Sequence, residues 1–419
     1  MTVSIKIPWS NWYANELHTI WFPDKWNVCV SKMADAPKLK KQKIYEAIKN
    51  PIGSQKLEEI AKGKDTVGIL VDDLSRPTPA YAVLPYIINE LKKCNIKPYN
   101  ISIIISLGAH RPMTKQEIIK KVGERVASTI QVLNHNPFSP DLVYIGKSKI
   151  GSPISINRKF AESDFKIAIG SILPHYCAGF GGGAKSIIPG IGGIDTLEAN
   201  HSLYFCEENG EKHIICSVGN PDNPLRLDME DIAKKVGLDF IINVVINSKL
   251  EIAGVFAGDQ VKAHRIGCEF AKKVYHTKKI AKADVVIINA FPKDTEYCQS
   301  SNAFNVIGDV SSDEILKGKS STIIMTTAAS EGPGFHYLSG PGTKLFKYHD
   351  YTFPPESLKD FDAWIYSPNL FEAEIRQFYK DKPKPLYNDW NNVLRNLILK
   401  YGDYAKVAIY PLASIQILC

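Results

Sequence analysis

Three polar segments of the 419-residue sequence carry residue types that bind anions or transfer protons. The first holds Asp73 and Arg76, the second holds His110, and the third runs from His175 to Lys185. Imidazole has an unperturbed pKa of about 6.5, so histidine suits proton transfer at neutral pH. Arginine and lysine suit carboxylate or phosphate groups. These residues therefore indicate acid–base chemistry on a small anionic molecule.

The third segment contains a glycine-rich stretch, residues 179–186, that ends in a lysine and a serine. Its glycines are Gly179, Gly181, Gly182 and Gly183. Glycines let backbone N–H groups approach an anion closely, and Lys185 adds a positive charge. The stretch nearly fits the phosphate loop of nucleotide-binding proteins, but Ala184 replaces the last glycine and several residues separate the stretch from its strand. A phosphate-bearing cofactor bound in another way is favoured, while a nucleotide loop and a purely structural turn remain open.

His201 follows a segment, residues 195–200, that is predicted to be helical and to begin near the end of the glycine-rich stretch. An imidazole at this place could reach a metal ion held at the stretch, and its nitrogen suits nickel, zinc or copper. The remaining histidines, His264 among them, are interpreted as ordinary polar residues.

Short apolar runs precede these segments and are predicted to be strands that position them. The first series comprises residues 67–71, 101–107 and 165–170, with helices predicted over 80–93 and from the capping-box pattern at 114–117. A second series comprises strands 284–290, 321–327, 362–366 and 406–410, with a helix over 389–400. Near-continuous apolar strands separated by helices indicate parallel sheets in an α/β fold. Ligands of such sheets bind beyond the carboxyl ends of the strands, where the polar segments lie.

The composition narrows the possible functions. Hydrophobic residues make up 44% and charged residues 23%, which is typical of a globular protein. A net charge of +7 suits anionic small molecules but is too small and too scattered to indicate nucleic acid. The eight cysteines form no C-x-x-C pair and are interpreted as reduced thiols of a cytoplasmic protein. No apolar run approaches the ~20 residues of a membrane span, so no membrane partner is expected.

Taken together, the motifs resemble those of the nickel-dependent lactate racemase family. They read Asp-x-x-Arg-Pro at residues 73–77, Gly-x-His-Arg-Pro at 108–112, and His-x-x-x-Gly-x-Gly-Gly-x-x-Lys at 175–185, followed by His201. The resemblance extends over most of the chain. It implies a racemase or epimerase that inverts C2 of a 2-hydroxy acid.

The resemblance also implies a cofactor and a role for each site residue. The cofactor is a nickel-pincer nucleotide, a pyridinium mononucleotide with a thioamide and a thiocarboxylic acid arm, which requires cofactor-synthesis proteins as partners. Lys185 would tether it with Gly181, Gly182 and Gly183 nearby, and His201 would bind nickel. His110 and His175 would be the catalytic acid and base. Asp73, Arg76 and Gln299 would bind the substrate.

The resemblance implies that the C2 hydrogen moves as hydride. Its loss as a proton would place a second negative charge beside the carboxylate, whereas hydride transfer avoids this if a base removes the hydroxyl proton. Inversion then needs a base on each face, hence two histidines. A two-base racemase that moves the hydrogen as a proton remains the alternative within the isomerases, and a nucleotide-binding protein built on Gly179–Ser186 remains the alternative outside them.

One position departs from the family pattern. Members that act on lactate commonly carry a lysine three residues after the matching glutamine, where this sequence has Asn302. We hypothesise that the substrate is a larger or more polar 2-hydroxy acid, such as a sugar acid, with Asn302 among its binding residues. The alternative is lactate itself, with a nearby lysine such as Lys293 supplying the charge.

The predicted architecture is two α/β domains with mostly parallel sheets and the active site in the cleft between them. The basic, polar segment 275–280 marks the boundary, so residues 1–278 form a cofactor-binding and catalytic domain and residues 279–405 form a substrate domain. The resemblance implies that the final strand, within residues 406–419, returns to the first domain. The sequence leaves the oligomeric state open.

Overall fold

The computed structural model describes residues 2–208, 211–214, 217–308, 312–338, 358, 360–376 and 384–418. The strands are β1 (Thr2–Trp9), β2 (Glu16–Pro23), β3 (Asn27–Val30), β4 (Val67–Asp72), β5 (Ile101–Ser106), β6 (Gln131–Asn134), β7 (Leu142–Lys147), β8 (Pro153–Asn157), β9 (Phe165–Ser171), β10 (Pro174–His175), β11 (Gly179–Phe180), β12 (Phe205–Glu208), β13 (Glu211–Ile214), β14 (Phe240–Ile246), β15 (Ile252–Gly258), β16 (His276–Thr277), β17 (Val285–Asn289), β18 (Thr322–Thr326), β19 (Asp362–Tyr366), β20 (Leu386–Tyr387), β21 (Lys406–Tyr410) and β22 (Ile417–Leu418).

The α-helices are α1 (Lys41–Lys49), α2 (Leu57–Ala61), α3 (Leu84–Lys93), α4 (Lys115–Val122), α5 (Glu124–Thr129), α6 (Arg158–Ala161), α7 (Ile194–Ser202), α8 (Pro224–Val236), α9 (Lys262–Tyr275), α10 (Tyr297–Ser300), α11 (Asn305–Gly308), α12 (Ser312–Ile315), α13 (Glu372–Ile375) and α14 (Trp390–Tyr401). Short 3₁₀ helices span Ala80–Ala82, Pro98–Asn100, Gly183–Ser186 and Ser301–Phe304.

The chain divides into two compact units, the first of which is residues 36–273. Its six-stranded sheet has the order β15-β14-β9-β4-β5-β6 and is parallel except for β15, which pairs antiparallel with β14. The residues of β4, β5, β9 and β14 are almost all buried. Strands that are covered on both faces need apolar side chains on both faces, which explains the near-continuous apolar runs of the sequence.

The order of this sheet determines where a site can form. The chain runs outward from β4 through β5 to β6 and then returns to the other side of β4 as β9. The connections that leave β4 and β9 therefore diverge, and in folds of this kind ligands bind beyond the carboxyl ends of the strands at such a point. The segment that starts at Asp73 follows β4, the segment with His110 follows β5, and the segment with His175 follows β9. Three adjacent strands thus bring the polar segments to one edge.

The second compact unit consists of residues 1–35 and 274–419. Its six-stranded sheet has the order β20-β19-β18-β17-β21-β3, and its strand pairs are all parallel. Apolar side chains on one face pack with those of α14 and the β1–β2 ribbon, where Trp390 is buried. The loop after β17 carries the segment that contains Gln299.

The predicted fold class, α/β with mostly parallel sheets, is confirmed. The predicted strands and helices recur within a few residues, and Thr114 with Glu117 forms the capping box at the start of α4. The placing of the active site between the domains stays a prediction.

The division into units differs from the predicted domains in two respects. Residues 1–35 belong with the C-terminal unit, because β3 pairs with β21. Strand β21 lies between β17 and β3 in the sheet of the second unit, and the last strand, β22, pairs with β16 of the same unit, so residues 406–418 do not join the unit of residues 36–273. The predicted boundary near residue 278 is close to the change of unit at Val274.

No helix within the described ranges is long and apolar enough to cross a membrane. Thiols are present at Cys29, Cys94, Cys177, Cys268 and Cys298. Cys216 and Cys419 lie outside the described residues, as does the side chain of Cys206.

Candidate functional site

Asp73 and His110 form a hydrogen-bonded pair at the carboxyl ends of β4 and β5. The distance between Asp73 Oδ2 and His110 Nδ1 is 2.7 Å. The other carboxylate oxygen, Oδ1, accepts hydrogen bonds from the backbone N–H of Ser75 at 2.9 Å and from the Ser75 hydroxyl. A carboxylate can only accept, so Nδ1 of His110 carries a proton and the neutral ring has its lone pair on Nε2. The pair therefore prepares His110 to accept a proton at Nε2.

Asp73 is held as an anion. Burial raises the pKa of the Asp73 carboxyl, but the nearby positive charge and hydrogen bond of His110, the charge of Arg76 and the Ser75 hydrogen bond oppose burial and outweigh it. The pKa of Asp73 consequently lies well below its ordinary value. An anion at this position fixes the orientation of the imidazole.

Lys121 supports the turn that carries Asp73 and Arg76. Its side chain is buried, and its Nζ lies 2.7 Å from Asp72 Oδ1. It also donates hydrogen bonds of 2.8 Å to the carbonyl oxygens of both Asp73 and Arg76. Burial raises the pKa of Asp72 and lowers that of Lys121, and the attraction between the two charges opposes both shifts. Asp72 therefore stabilises the turn through Lys121, whereas Asp73 binds His110.

Arg76 provides a positive charge next to this pair. Its Nη1 donates to the carbonyl oxygen of Ser75 at 3.2 Å and to the Ser75 hydroxyl at 3.0 Å. The charge of Arg76 lowers the pKa of Asp73 and that of Lys185, so the three groups lie within electrostatic reach of one another. An arginine in this place suits a substrate carboxylate.

His175 has the opposite tautomer to His110. Its Nδ1 accepts hydrogen bonds from the backbone N–H groups of Cys177 at 3.2 Å and Ala178 at 3.3 Å. A nitrogen that accepts two N–H groups carries no proton, so the neutral ring has its proton on Nε2. The ring also stacks on Tyr176, with 5.1 Å between the ring centroids. His175 is therefore arranged to donate a proton, and His110 to accept one.

The glycine-rich stretch is compact because its glycines are required by packing. Gly179, Gly182 and Gly183 adopt positive φ values of 69°, 74° and 57°. A Cβ at Gly182 would lie 3.0 Å from the side chain of Asn243, and one at Gly183 would lie 3.0 Å from His264. Side chains at these positions would thus be strained and crowded.

The stretch does not present all its N–H groups to a ligand. The N–H of Gly181 donates to the Leu173 carbonyl at 2.7 Å, and that of Gly183 donates to Asn243 Oδ1 at 2.9 Å. In this conformation those two N–H groups are not available to an anion, contrary to the expectation from the sequence. The local path also differs from a phosphate loop, in which the lysine and serine open an α-helix, because Lys185 lies in a 3₁₀ turn and α7 begins at Ile194.

Lys185 has an unusually acidic ammonium group. Burial, followed by the charges of Arg76 and Arg226, lowers its pKa to about 7, against the raising effects of Cys177 and Asp73. An amine with such a pKa is largely uncharged just above neutral pH and can act as a nucleophile. The lowered pKa therefore favours a lysine that forms a covalent bond over a lysine that only attracts an anion through its charge.

His201 lies in the last turn of α7, as predicted. Its Nδ1 is 2.8 Å from the carbonyl oxygen of Leu197, so Nδ1 donates and the lone pair of the neutral ring lies on Nε2. Histidines that bind metals are commonly oriented in this way. The described residues contain no group of three or more His, Cys, Asp or Glu side chains that could hold a metal ion. The resemblance implies His201 as the protein ligand to nickel, with the cofactor supplying the others.

Gln299 and Asn302 lie in the second unit, in the short helical turns after β17. Both are largely buried, and the Asn302 amide donates to the Gln299 carbonyl at 2.8 Å. The ammonium of Lys293 is 3.5 Å from Asn302 Oδ1, and Lys293 is 1% exposed. A lysine side chain therefore lies beside the position where the family pattern places a lysine.

The structure brings together most of the predicted site residues of the first unit. Asp73, Arg76, His110 and Lys185 interact at one sheet edge, and the glycine-rich stretch connects His175 to Lys185. Sequence reasoning missed Lys121, Arg226, Asn243 and His264, which hold these segments. Only Asn243 gives a signal, as a polar residue within the apolar run 240–246.

Comparisons with known proteins identify a family that this chain resembles. A family model described as the lactate racemase N-terminal domain matches residues 13–213. The lactate racemase of Thermoanaerobacterium thermosaccharolyticum is 37% identical over 260 residues, which are 61% of this chain and 60% of that protein. The lactate racemase of Lactiplantibacillus plantarum is 35% identical over 303 residues, which are 71% of this chain and 68% of that protein.

Solved structures extend the similarity to the whole fold. The structure of the lactate racemase apoprotein from T. thermosaccharolyticum has a TM-score of 0.74 and 26% identity, and the match covers 100% of both chains. A crystal structure of a protein from Thermotoga maritima shares the fold, with a TM-score of 0.66, 18% identity and coverage of 92% of this chain and 100% of that chain. Together with the 35% identity over 68% of a lactate racemase, these matches show that the chain belongs to the lactate racemase family.

Proposed function

We propose that the protein is a racemase or epimerase that inverts C2 of a 2-hydroxy acid with a nickel-pincer nucleotide. The observation that carries the proposal is the pair of histidines in opposite tautomers, His110 bound to Asp73 and His175 bound to backbone N–H groups. Inversion through a planar 2-keto acid needs one group that accepts the hydroxyl proton and another that donates a proton on the opposite face. The cytoplasmic location, and the dependence on cofactor-synthesis proteins, remain predictions.

The residues of the first unit fit the proposed cofactor. The lowered pKa of Lys185 favours the uncharged amine that a thioamide link requires, and the Nδ1 hydrogen bond of His201 favours the tautomer that a nickel ligand requires. Two of the three glycines predicted to contact the cofactor, Gly181 and Gly183, use their N–H groups internally, so we assign them to shaping the stretch. When bound, the cofactor supplies the hydride acceptor for C2.

The chain's own residues orient the substrate and move its protons. His110 takes the hydroxyl proton at Nε2, and Asp73 stabilises the resulting positive charge on the imidazole. Arg76 binds the substrate carboxylate. His175 donates its Nε2 proton to the oxygen on C2 when the product forms. Solvent then returns a proton to His175 and removes the extra proton from His110, which restores the starting state. In the reverse direction the two histidines exchange roles, which requires His175 to weaken its contacts with Cys177 and Ala178.

The substrate class depends on the second unit. Both ends of the Asn302 amide are engaged by protein groups, the Lys293 ammonium and the Gln299 carbonyl. We propose a larger or more polar 2-hydroxy acid than lactate, because an amide replaces a lysine at position 302. The Lys293 contact favours a second candidate, lactate itself, with Lys293 supplying the charge.

The proposal is tested with protein produced together with the cofactor-synthesis enzymes. Racemisation of a panel of 2-hydroxy acids, lactate and sugar acids included, is followed by chiral chromatography. A substrate deuterated at C2 retains its deuterium if the hydrogen moves as hydride and loses deuterium to water if the hydrogen moves as a proton. Loss of deuterium, or full activity without nickel, would refute the mechanism, and a clear preference for lactate would refute the larger substrate.

The cofactor site has a separate test. We expect a covalent mass increase on the peptide that contains Lys185, which Lys185→Ala abolishes. His201→Ala should keep that mass increase but lose nickel in metal analysis. Unmodified Lys185 in an active, nickel-containing protein would contradict the tether and leave the racemase activity in place.

A further inference from the structure

Arg226 is a buried arginine that binds the glycine-rich stretch. It lies in the first turn of α8 and is 0% exposed. Its Nε donates to the Ala178 carbonyl at 3.3 Å, its Nη1 donates to the Gly182 carbonyl at 3.0 Å, and its Nη2 donates to the Phe180 carbonyl. One guanidinium thus contacts every second carbonyl of the segment 178–182.

The two intervening carbonyls of this segment have other partners. The Gly179 carbonyl accepts from the N–H of Gly219 at 2.9 Å, and the Gly181 carbonyl is 2.9 Å from Nε2 of His264. Apart from the two-residue strand β11, the segment is not part of a sheet. Arg226 and His264 therefore take the place of the neighbouring strand that would normally satisfy these carbonyls.

The charge of Arg226 is buried, and removal of a charge from water costs free energy that hydrogen bonds must offset. Desolvation lowers the pKa of Arg226 to about 10, opposed mainly by the charge of Glu230. Glu230 itself is bound by Arg265, at 2.7 Å between Glu230 Oε1 and Arg265 Nη1. The Arg226 guanidinium is charged, as a lysine ammonium would be. Its fork of donors, however, can fix three carbonyls at once, which a lysine ammonium cannot do with the same geometry.

The segment 178–182 connects the two ends of the candidate site. At one end, the N–H of Ala178 binds His175 Nδ1, and His175 pairs with Gly179 in the β10–β11 ribbon. At the other end, the N–H of Lys185 donates to the Gly182 carbonyl, which Arg226 also binds. The position of Arg226 thus affects both the histidine and the lysine.

We propose that Arg226 is a positioning residue that fixes the distance between His175 and Lys185, so that a group attached to the lysine lies correctly against the histidine. This inference rests on the proposed function for the identity of that group. The fixed path of segment 178–182 does not depend on it. Arg226 touches neither the reacting atoms nor the substrate in this scheme.

The test compares Arg226→Lys and Arg226→Met with Arg158→Lys, an exposed ion-pair arginine outside the site. In cofactor-loaded protein, Arg226→Lys should lower kcat roughly 10- to 100-fold with KM nearly unchanged, because misplacement of reacting groups affects mainly the chemical step. Arg158→Lys should retain the activity of the parent protein. An unchanged kcat in Arg226→Lys would overturn the proposal, as would a rise in KM alone.

A second readout uses the chain without cofactor. Hydrogen exchange of the peptide that covers residues 176–186 should become about tenfold faster in both Arg226 variants, as expected when a hydrogen bond to a charged group is lost. Exchange in β9 should stay the same, which separates a local effect from unfolding. Unchanged exchange over 176–186 would refute the positioning role.

Chemical labelling separates the charge of Arg226 from its hydrogen bonds. The groups that act on Lys185 are Arg76, Arg226, Cys177 and Asp73. Acylation of Lys185 should keep its pH profile in Arg226→Lys and shift to higher pH in Arg226→Met, because only the second variant removes a positive charge. Identical profiles in all variants would contradict the proximity of Arg226 to the lysine. If these effects appear while the parent protein racemises no 2-hydroxy acid, the proposed function fails and the positioning role stands.

Discussion

Replacement of Asp73 by asparagine should reverse the tautomer of His110. The structure shows why: Asp73 Oδ1 accepts from Ser75, and Oδ2 faces His110 Nδ1. In Asp73→Asn, the amide oxygen keeps the Ser75 hydrogen bonds, so the NH₂ group faces the imidazole. Nδ1 must then accept, and the proton moves to Nε2. The ring loses the lone pair that takes the proton from the substrate.

The size of the effect follows from the loss of a general base. Such groups contribute roughly 10²- to 10⁴-fold to the rate, which corresponds to about 3–5 kcal/mol of the activation free energy. We therefore expect kcat of Asp73→Asn to fall by this factor with little change in the melting temperature. Asp164→Asn, a change at an exposed carboxylate that binds Thr66, provides the matched control.

Two assays check the reasoning independently. Nitrogen-15 NMR of labelled histidines distinguishes the Nδ1–H and Nε2–H tautomers in the chain without cofactor, and chiral chromatography measures racemisation by the loaded protein. Two results for Asp73→Asn would refute the assignment of His110 as an oriented base. One is retention of the Nδ1–H tautomer at His110, and the other is a kcat within a few-fold of the parent value.

Two further predictions concern buried cations. Competitive acylation of Lys185 should be half-maximal near pH 7, with the exposed Lys149 as internal reference. About half of the Lys185 amines are uncharged at that pH, against roughly 0.04% for an ordinary lysine. A midpoint near pH 10 would show that the site does not lower the pKa of Lys185. Lys121→Met should reduce the free energy of unfolding in urea by about 3–5 kcal/mol, because it leaves the largely buried Asp72 carboxylate without its charged partner. The double variant Lys121→Met with Asp72→Asn should recover part of that lost stability. If Lys121→Met alone is as stable as the parent protein, the Lys121–Asp72 pair is dispensable for stability.

Much of the framework was predictable because its signals are local. The strands of both parallel sheets are continuous apolar runs, and the capping box at Thr114 marks the start of a helix. The site residues Asp73, His110 and His175 were predictable because each lies within a few residues of the end of such a run. Their convergence on one edge is a general property of parallel strands.

The supporting residues were not predictable, because their roles depend on long-range packing. Arg226 lies in an amphipathic helix where an arginine suggests an exposed side chain, and only the fold brings it against carbonyls some 44 to 48 residues earlier. The domain assignment failed for a similar reason. The pairing of β3 with β21 joins segments that are more than 370 residues apart in the sequence, and no local sequence pattern predicts it.

That pairing has a consequence for synthesis on the ribosome. Residues 36–273 form one compact unit that is inserted within the sequence of the other. The inserted unit can fold as soon as it has emerged, whereas β3 must wait for β21, which is translated on the order of tens of seconds later. During that interval β3 lacks its partner strand, so a chaperone that binds nascent residues 1–35 should raise the yield of folded protein. Truncation before residue 406 should abolish folding of the outer unit and leave folding of the inserted unit intact.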